Sequence, residues 1–177
     1  MKKLLPLLLI SSTAFAGYPD EPATKPRGGS SAGINFSVCH YNGSPINYCG
    51  AKNANTLHSF DKTKPTFLGR YIPIVLKPSE LASGKIPKDT RGFLLYDPAA
   101  KAAYTFPWVL QTQEATPGSR AYPVQVHYNL KNYPKNAIVF QGNLTSEDYA
   151  EYSSSSVSDD VVFVFSDEKI FANIEAQ

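Results

Sequence analysis

The chain is poor in the residue types that carry most protein chemistry: its 177 residues include two cysteines, three histidines, one methionine and one tryptophan. A zinc site needs three or four converging ligands, commonly paired at short fixed spacings. His40, His58 and His127 stand singly, so no metal and no other cofactor is expected. His58 and Asp61 have a His-x-x-Asp spacing, but no helical period around them predicts that they meet. The Gly-x-Ser-x-Gly elbow of serine hydrolases is missing. Ser-x-x-Lys occurs at Ser59/Lys62 and Ser166/Lys169, close to the roughly one match that composition alone produces. Gly28-Gly29 lacks the following helix that a phosphate-cradling loop requires. No catalytic residue is therefore assigned, and an enzyme would have to assemble its site from distant strands.

Long apolar runs are missing too. The longest opens the chain: in "MKKLLPLLLISSTAFA" two lysines precede a short apolar core, and Ala14 and Ala16 form a small-residue cleavage site ahead of Gly17. This pattern predicts a secretory signal peptide over residues 1–16, cleaved after Ala16, and a periplasmic or secreted product. The run is well short of the roughly 20 residues of a membrane span, and none is expected elsewhere. The two cysteines, Cys39 and Cys49, are then expected to form one disulfide in an oxidising compartment.

Net charge is the third deficit. The formal charge is +2, and two of the lysines, Lys2 and Lys3, lie in the signal. A neutral mature chain lacks the basic surface that nucleic acid or anionic membrane calls for. The charge is nevertheless uneven: residues 52–101 hold nine basic and four acidic side chains, and residues 141–177 hold one basic and eight acidic. Glu147, Asp148, Glu151, Asp159 and Asp160 could form an acidic surface that solvates one face or docks a basic partner.

What the chain does have is β pattern. About 160 residues remain after the signal, enough for one domain. Residues 17–33 carry three prolines and four glycines and read as a flexible leader, with a single β-rich domain over 34–177. "INFSVC" alternates Ile34, Phe36 and Val38 inward with Cys39 outward. In residues 66–76, Leu68, Ile72, Ile74 and Leu76 share one face, and Pro73 confines the strand to an edge or bulge. A short helix is expected at "KPSELASG", capped by Ser79 and stopped by Gly84. Asp97-Pro98 turns a hairpin, and Pro107 marks another edge or bulge. Val124, Val126, Tyr128 and Leu130 alternate inward, and "AIVFQG" follows after the turn at 132–136. Thr145 or Ser146 could cap a helical turn. "VVFVFSDEKIFANIE" closes the chain as a hairpin whose first strand is apolar enough to be covered on both faces. The fold class expected is all-β, an antiparallel sandwich or barrel with one or two short helices, with α+β as the alternative.

Eleven tyrosines and ten asparagines supply rigid amphipathic contact area with hydrogen-bonding neighbours. The segment "CHYNGSPINYC" concentrates them: a disulfide-closed, irregular surface loop is expected there, first as a structural staple and in the alternative as a binding loop presenting Tyr41, Asn42, Asn47 and Tyr48. The function that fits is an exported protein-binding protein, such as an inhibitor or immunity protein against an envelope-targeting hydrolase, with the acidic C-terminal third suited to a basic enzyme. A carbohydrate or cell-wall binding module is the alternative, and a hydrolase with a non-local site the second.

Overall fold

The computed structural model describes residues 27–41, 46–81, 90–111, 125–141, 143–145, 161–167, 169 and 171–174. The elements are β1 (Arg27–Ser31), β2 (Ile34–His40), α1 (Ala51–His58), β3 (Ile72–Leu76), β4 (Thr90–Asp97), β5 (Ala102–Thr105), β6 (Val109–Gln111), β7 (Gln125–Tyr128), β8 (Ala137–Gln141), β9 (Asn143–Thr145), β10 (Val161–Phe165) and β11 (Phe171–Ile174). They form two sheets. The larger runs β1-β2-β5-β4-β6-β9 with β3 on the free side of β4, and the smaller runs β11-β10-β8-β7.

The strands form where apolar side chains can be buried on one or both sides. β4 is the central strand and is buried almost throughout. Leu94 and Tyr96 join Ile34, Phe36, Ile74 and the α1 residues Ala54 and Leu57 in one core cluster. Phe93 and Leu95 join Phe106, Phe140, Phe163 and Phe165 in a second, which fills the space between the sheets. Aromatic edge-to-face packing dominates there, with Phe93 and Phe140 at 5.2 Å and Phe106 and Phe163 at 4.9 Å between ring centroids. Burying each such ring contributes about 1.5–3 kcal/mol relative to exposure. The molecule is thus an all-β sandwich with one short helix laid on its larger sheet.

Several expectations hold. The hairpins β4–β5, β7–β8 and β10–β11 are antiparallel pairs. β3 carries Pro73 and pairs with β4 alone among the described strands. Pro107 separates β5 from β6, both on the same side of β4, and the register against β4 shifts by two residues across it. Val161 and Phe163 of β10 face the intersheet core while Val162 packs into a separate cluster on the other face.

Other expectations are corrected. Residues 27–31 are not leader: they form β1 against β2, so the ordered fold begins before residue 34. Their glycines serve close approach, since a Cβ on Gly28 would lie 2.9 Å from the Phe36 carbonyl oxygen and one on Gly29 would collide with Cys39 Sγ. The sheet is not wholly antiparallel, because β2 and β5 run parallel through Asn35↔Ala102 and Phe36↔Ala103. Of the helix expected at residues 77–84, the described part is a single turn in which the Glu80 carboxylate accepts from the Lys77 amide at 2.6 Å. The helix lies instead at Ala51–His58, where Asn53, Ala54 and Leu57 supply one buried face. Eight residues are marginal alone, so burial of Ala54 and Leu57 in the core cluster holds them. Leu68 and Leu130 are exposed, because Leu68 sits in a left-handed turn and Asn129 (φ +58°) ends the alternation before Leu130. Thr145 belongs to a strand rather than a helix cap, and Ser146 lies outside the described residues.

Candidate functional site: a cationic groove between three turns

In the loop expected to make contacts, the described residues Tyr41, Ile46 and Tyr48 belong to the core. The disulfide Cys39–Cys49 is formed, tying the end of β2 to the segment that leads into α1. Tyr41 and Tyr48 are 8 % and 1 % exposed, so neither ring is offered to a partner. The Tyr41 hydroxyl donates to the Thr105 carbonyl at 2.8 Å, and the Tyr48 hydroxyl to that of Phe106 at 3.0 Å. Asn47 turns its side-chain oxygen back to the Cys49 amide at 3.0 Å, forming a local turn. Asn42 and the acidic residues Glu147, Asp148, Glu151, Asp159 and Asp160 lie outside the described residues.

His58 and Asp61, expected to stay apart, do meet. α1 ends at His58, and the turns after it return Asp61 so that its Oδ2 lies 3.1 Å from His58 Nδ1. Lys101 and the Tyr96 hydroxyl reach the same carboxylate. His58 Nε2 lies 2.8 Å from the Ala32 carbonyl oxygen in the β1–β2 turn. With both nitrogens facing acceptors, the imidazolium is favoured and the pKa is raised, first by the Ala32 carbonyl and then by Asp61. Lys101, Tyr96 and His58 hold the Asp61 carboxyl well below its usual range. A general base needs a free ring nitrogen. His58 is engaged on both sides, so this cluster clasps α1 to two hairpin turns. His40 is exposed, and His127 faces Gln141 at 3.3 Å. Among the described residues no group of three or more His, Cys, Asp or Glu could hold a metal ion.

A recess lies elsewhere, where three turns converge. Residues 67–71 close a tight turn in which Phe67 and Tyr71 exchange backbone hydrogen bonds of 2.9 Å. Leu68 (φ +52°) and Gly69 (φ +67°) both adopt left-handed conformations, and the Arg70 amide donates to the Phe67 carbonyl at 3.1 Å. This is a type I′ geometry, which favours Asn-Gly or Asp-Gly. The turn is fixed to the smaller sheet by Asn129 Nδ2, which donates to the Thr66 carbonyl at 2.9 Å. The turn before β8 and the β10–β11 turn are joined by Asn136, which donates through Nδ2 to the Phe165 carbonyl at 3.0 Å.

Between them lies a groove of about 400 Å³ whose walls include Leu68, Arg70, Tyr71, Lys135, Asp167 and Lys169. Tyr71 forms the floor and is 3 % exposed. Lys169 Nζ lies 5.5 Å from its ring centroid and hydrogen-bonds its hydroxyl, which raises the ammonium pKa. Arg70 lies 5.6 Å from the same ring and bonds through Nε to Asp97, a fully buried carboxylate that raises the guanidinium pKa and also caps the amides of Ala99 and Ala100. Lys135 has no ion pair among the described residues. Lys169 (φ +66°) also occupies a left-handed position in its hairpin turn, so both rims carry a non-glycine residue in a conformation that glycine adopts more cheaply.

Leu68, Arg70, Tyr71, Lys135 and Lys169 come from turns up to about 100 residues apart, which is why sequence spacing did not unite them. The available signal was Leu68-Gly69 ahead of β3, a leucine where turn chemistry favours asparagine.

Fold and groove together define a disulfide-stapled β-sandwich that presents a rigid apolar tip beside a cationic recess. No protein-family model matches the chain, and no curated protein or solved structure matches it.

Proposed function

We propose that this chain is an exported protein-binding protein, acting as an inhibitor or immunity protein on an envelope-targeting hydrolase. The observation that carries the reading is Leu68: a large apolar side chain, 43 % exposed, held at a left-handed turn position on the rim of the groove. A strained backbone at an exposed apolar residue supports a contact role, and rigid apolar anchors beside polar rims are what protein interfaces use. The signal-like N-terminus and the disulfide fit an oxidising extracytoplasmic compartment.

The test immobilises the mature chain and its Leu68→Asn variant and exposes both to envelope extract. A hydrolase retained by the wild type, lost with the variant and inhibited by the purified wild type supports the reading. Retention on peptidoglycan or polysaccharide, with no Leu68-dependent protein, overturns it in favour of a glycan-binding module.

A further inference from the structure

We infer that the groove walled by Leu68, Tyr71, Lys135 and Lys169 takes an acidic peptide segment, seating a carboxylate between the two ammonium groups with an apolar neighbour against Leu68. The inference deepens the protein-binding reading and rests on it. Arg70 contributes rigidity more than charge, because its Nε is bonded to the fully buried Asp97. Among the described residues the groove's own charge therefore comes from Lys135 and Lys169, opposed by Asp167 on the rim. One full negative charge is what such a site balances. A phosphate dianion would place a second charge against Asp167, and the left-handed turns here offer no glycine-rich run of amides to cradle it. Lys169 is positioned for this role from two sides: its amide donates a hydrogen bond to the Ser166 carbonyl at 3.0 Å, which fixes the turn, and its ammonium lies 5.5 Å from the Tyr71 ring centroid. A leucine on the adjacent rim selects a peptide over a free anion, since an isolated carboxylate has nothing to lay on it.

The experiment measures fluorescence anisotropy of a labelled short peptide alternating leucine and glutamate, titrated with the full mature chain, beside a peptide with glutamine for glutamate. The glutamate peptide is expected to bind at least about tenfold tighter, with affinity falling as salt rises. Lys135→Gln and Lys169→Gly should each weaken it by about three- to tenfold. Lys169→Gly suits the left-handed position, so its melting temperature should not fall, which separates lost binding from lost folding. Equal binding of the two peptides, undiminished binding by Lys169→Gly, or displacement by inorganic phosphate at concentrations where acetate fails would each overturn the inference. If Leu68-dependent capture of a protein persists while the glutamate peptide shows no preference, the groove inference alone fails. If the peptide binds and no protein is captured, the protein-binding reading fails and the carboxylate site stands.

Discussion

The Tyr48 hydroxyl donates a 3.0 Å hydrogen bond to the Phe106 carbonyl, 58 residues along the chain and inside the core. Tyr48 is therefore a core residue that ties the disulfide segment to the larger sheet. Tyr48 crosses above Gly92 of β4, where an added Cβ would lie 3.2 Å from its hydroxyl. Burial and the neighbouring Tyr41 push the Tyr48 pKa up, so the phenol stays a neutral donor.

Tyr48→Phe keeps the ring and its edge-to-face contact with Tyr41 but leaves the Phe106 carbonyl without this donor. An unpaired buried acceptor costs about 1–3 kcal/mol. Urea denaturation should show that loss, while capture of a protein partner stays unchanged because the side chain is buried. Impaired capture at undiminished stability would return Tyr48 to the binding surface.

Gly29 packs against the disulfide so closely that a Cβ there would also stand 3.2 Å from Cys49 Sγ. Gly29→Ala should destabilise the chain by about 1–3 kcal/mol, the usual cost of overpacking. In a Cys39→Ala/Cys49→Ala background, which removes both sulfurs, most of that penalty should vanish. A double-mutant cycle by thermal melting reads the coupling, and additive effects would show that the clash is relieved elsewhere.

These two residues also mark where sequence reading succeeds and fails. Strands with strong alternation, such as Ile34–His40, and hairpins with clear turn chemistry were legible because burial and turn type are local properties. Gly28 and Gly29 read as leader because glycine signals flexibility and close packing with the same letter, and only the Phe36 carbonyl and Cys39 sulfur opposite them decide between the two. Tyr41 and Tyr48 read as contact residues because an amphipathic ring suits a surface and a buried hydrogen bond equally well. α1 was missed since "AKNANTLH" owes its helix to Ala54 and Leu57 finding a core, with no side-chain cap at Gly50 to announce it. The groove was invisible because topology alone brings residues 68, 135 and 169 together.

The clasp at His58 predicts a pH window. His58 has its folded pKa raised above 6.5, so its contribution is complete below that value and is lost as pH rises through the folded pKa. Asp61 has its folded pKa lowered below 3.8, so its contribution is complete above that value and is lost as pH falls through the folded pKa. The clasp should therefore be fully formed between pH 3.8 and 6.5, with stability declining on both sides. NMR titration of the His58 ring should give a pKa above 6.5 in the wild type and a lower one in Asp61→Asn. A His58 pKa unmoved by Asp61→Asn would show that the Ala32 carbonyl alone holds the imidazolium.

Leu68 offers a prediction whose sign separates function from folding. A non-glycine residue in the left-handed region costs roughly 1–2 kcal/mol, and asparagine lowers that cost by bonding its own backbone. Leu68 offsets only part of it by burial, because the side chain is 43 % exposed. Leu68→Asn, which creates the favoured Asn-Gly pair with Gly69, should stabilise the chain by about 0.5–1 kcal/mol in thermal or urea melts. Leu68→Val should act in the opposite direction, since a β-branched side chain tolerates positive φ worst. A turn selected for stability alone would carry the asparagine. If the exposed leucine is retained for contact, Leu68→Asn should raise the melting temperature and weaken partner capture in the same protein. Should the variant melt lower than wild type, the side chain is holding the turn together and Leu68 belongs to the fold.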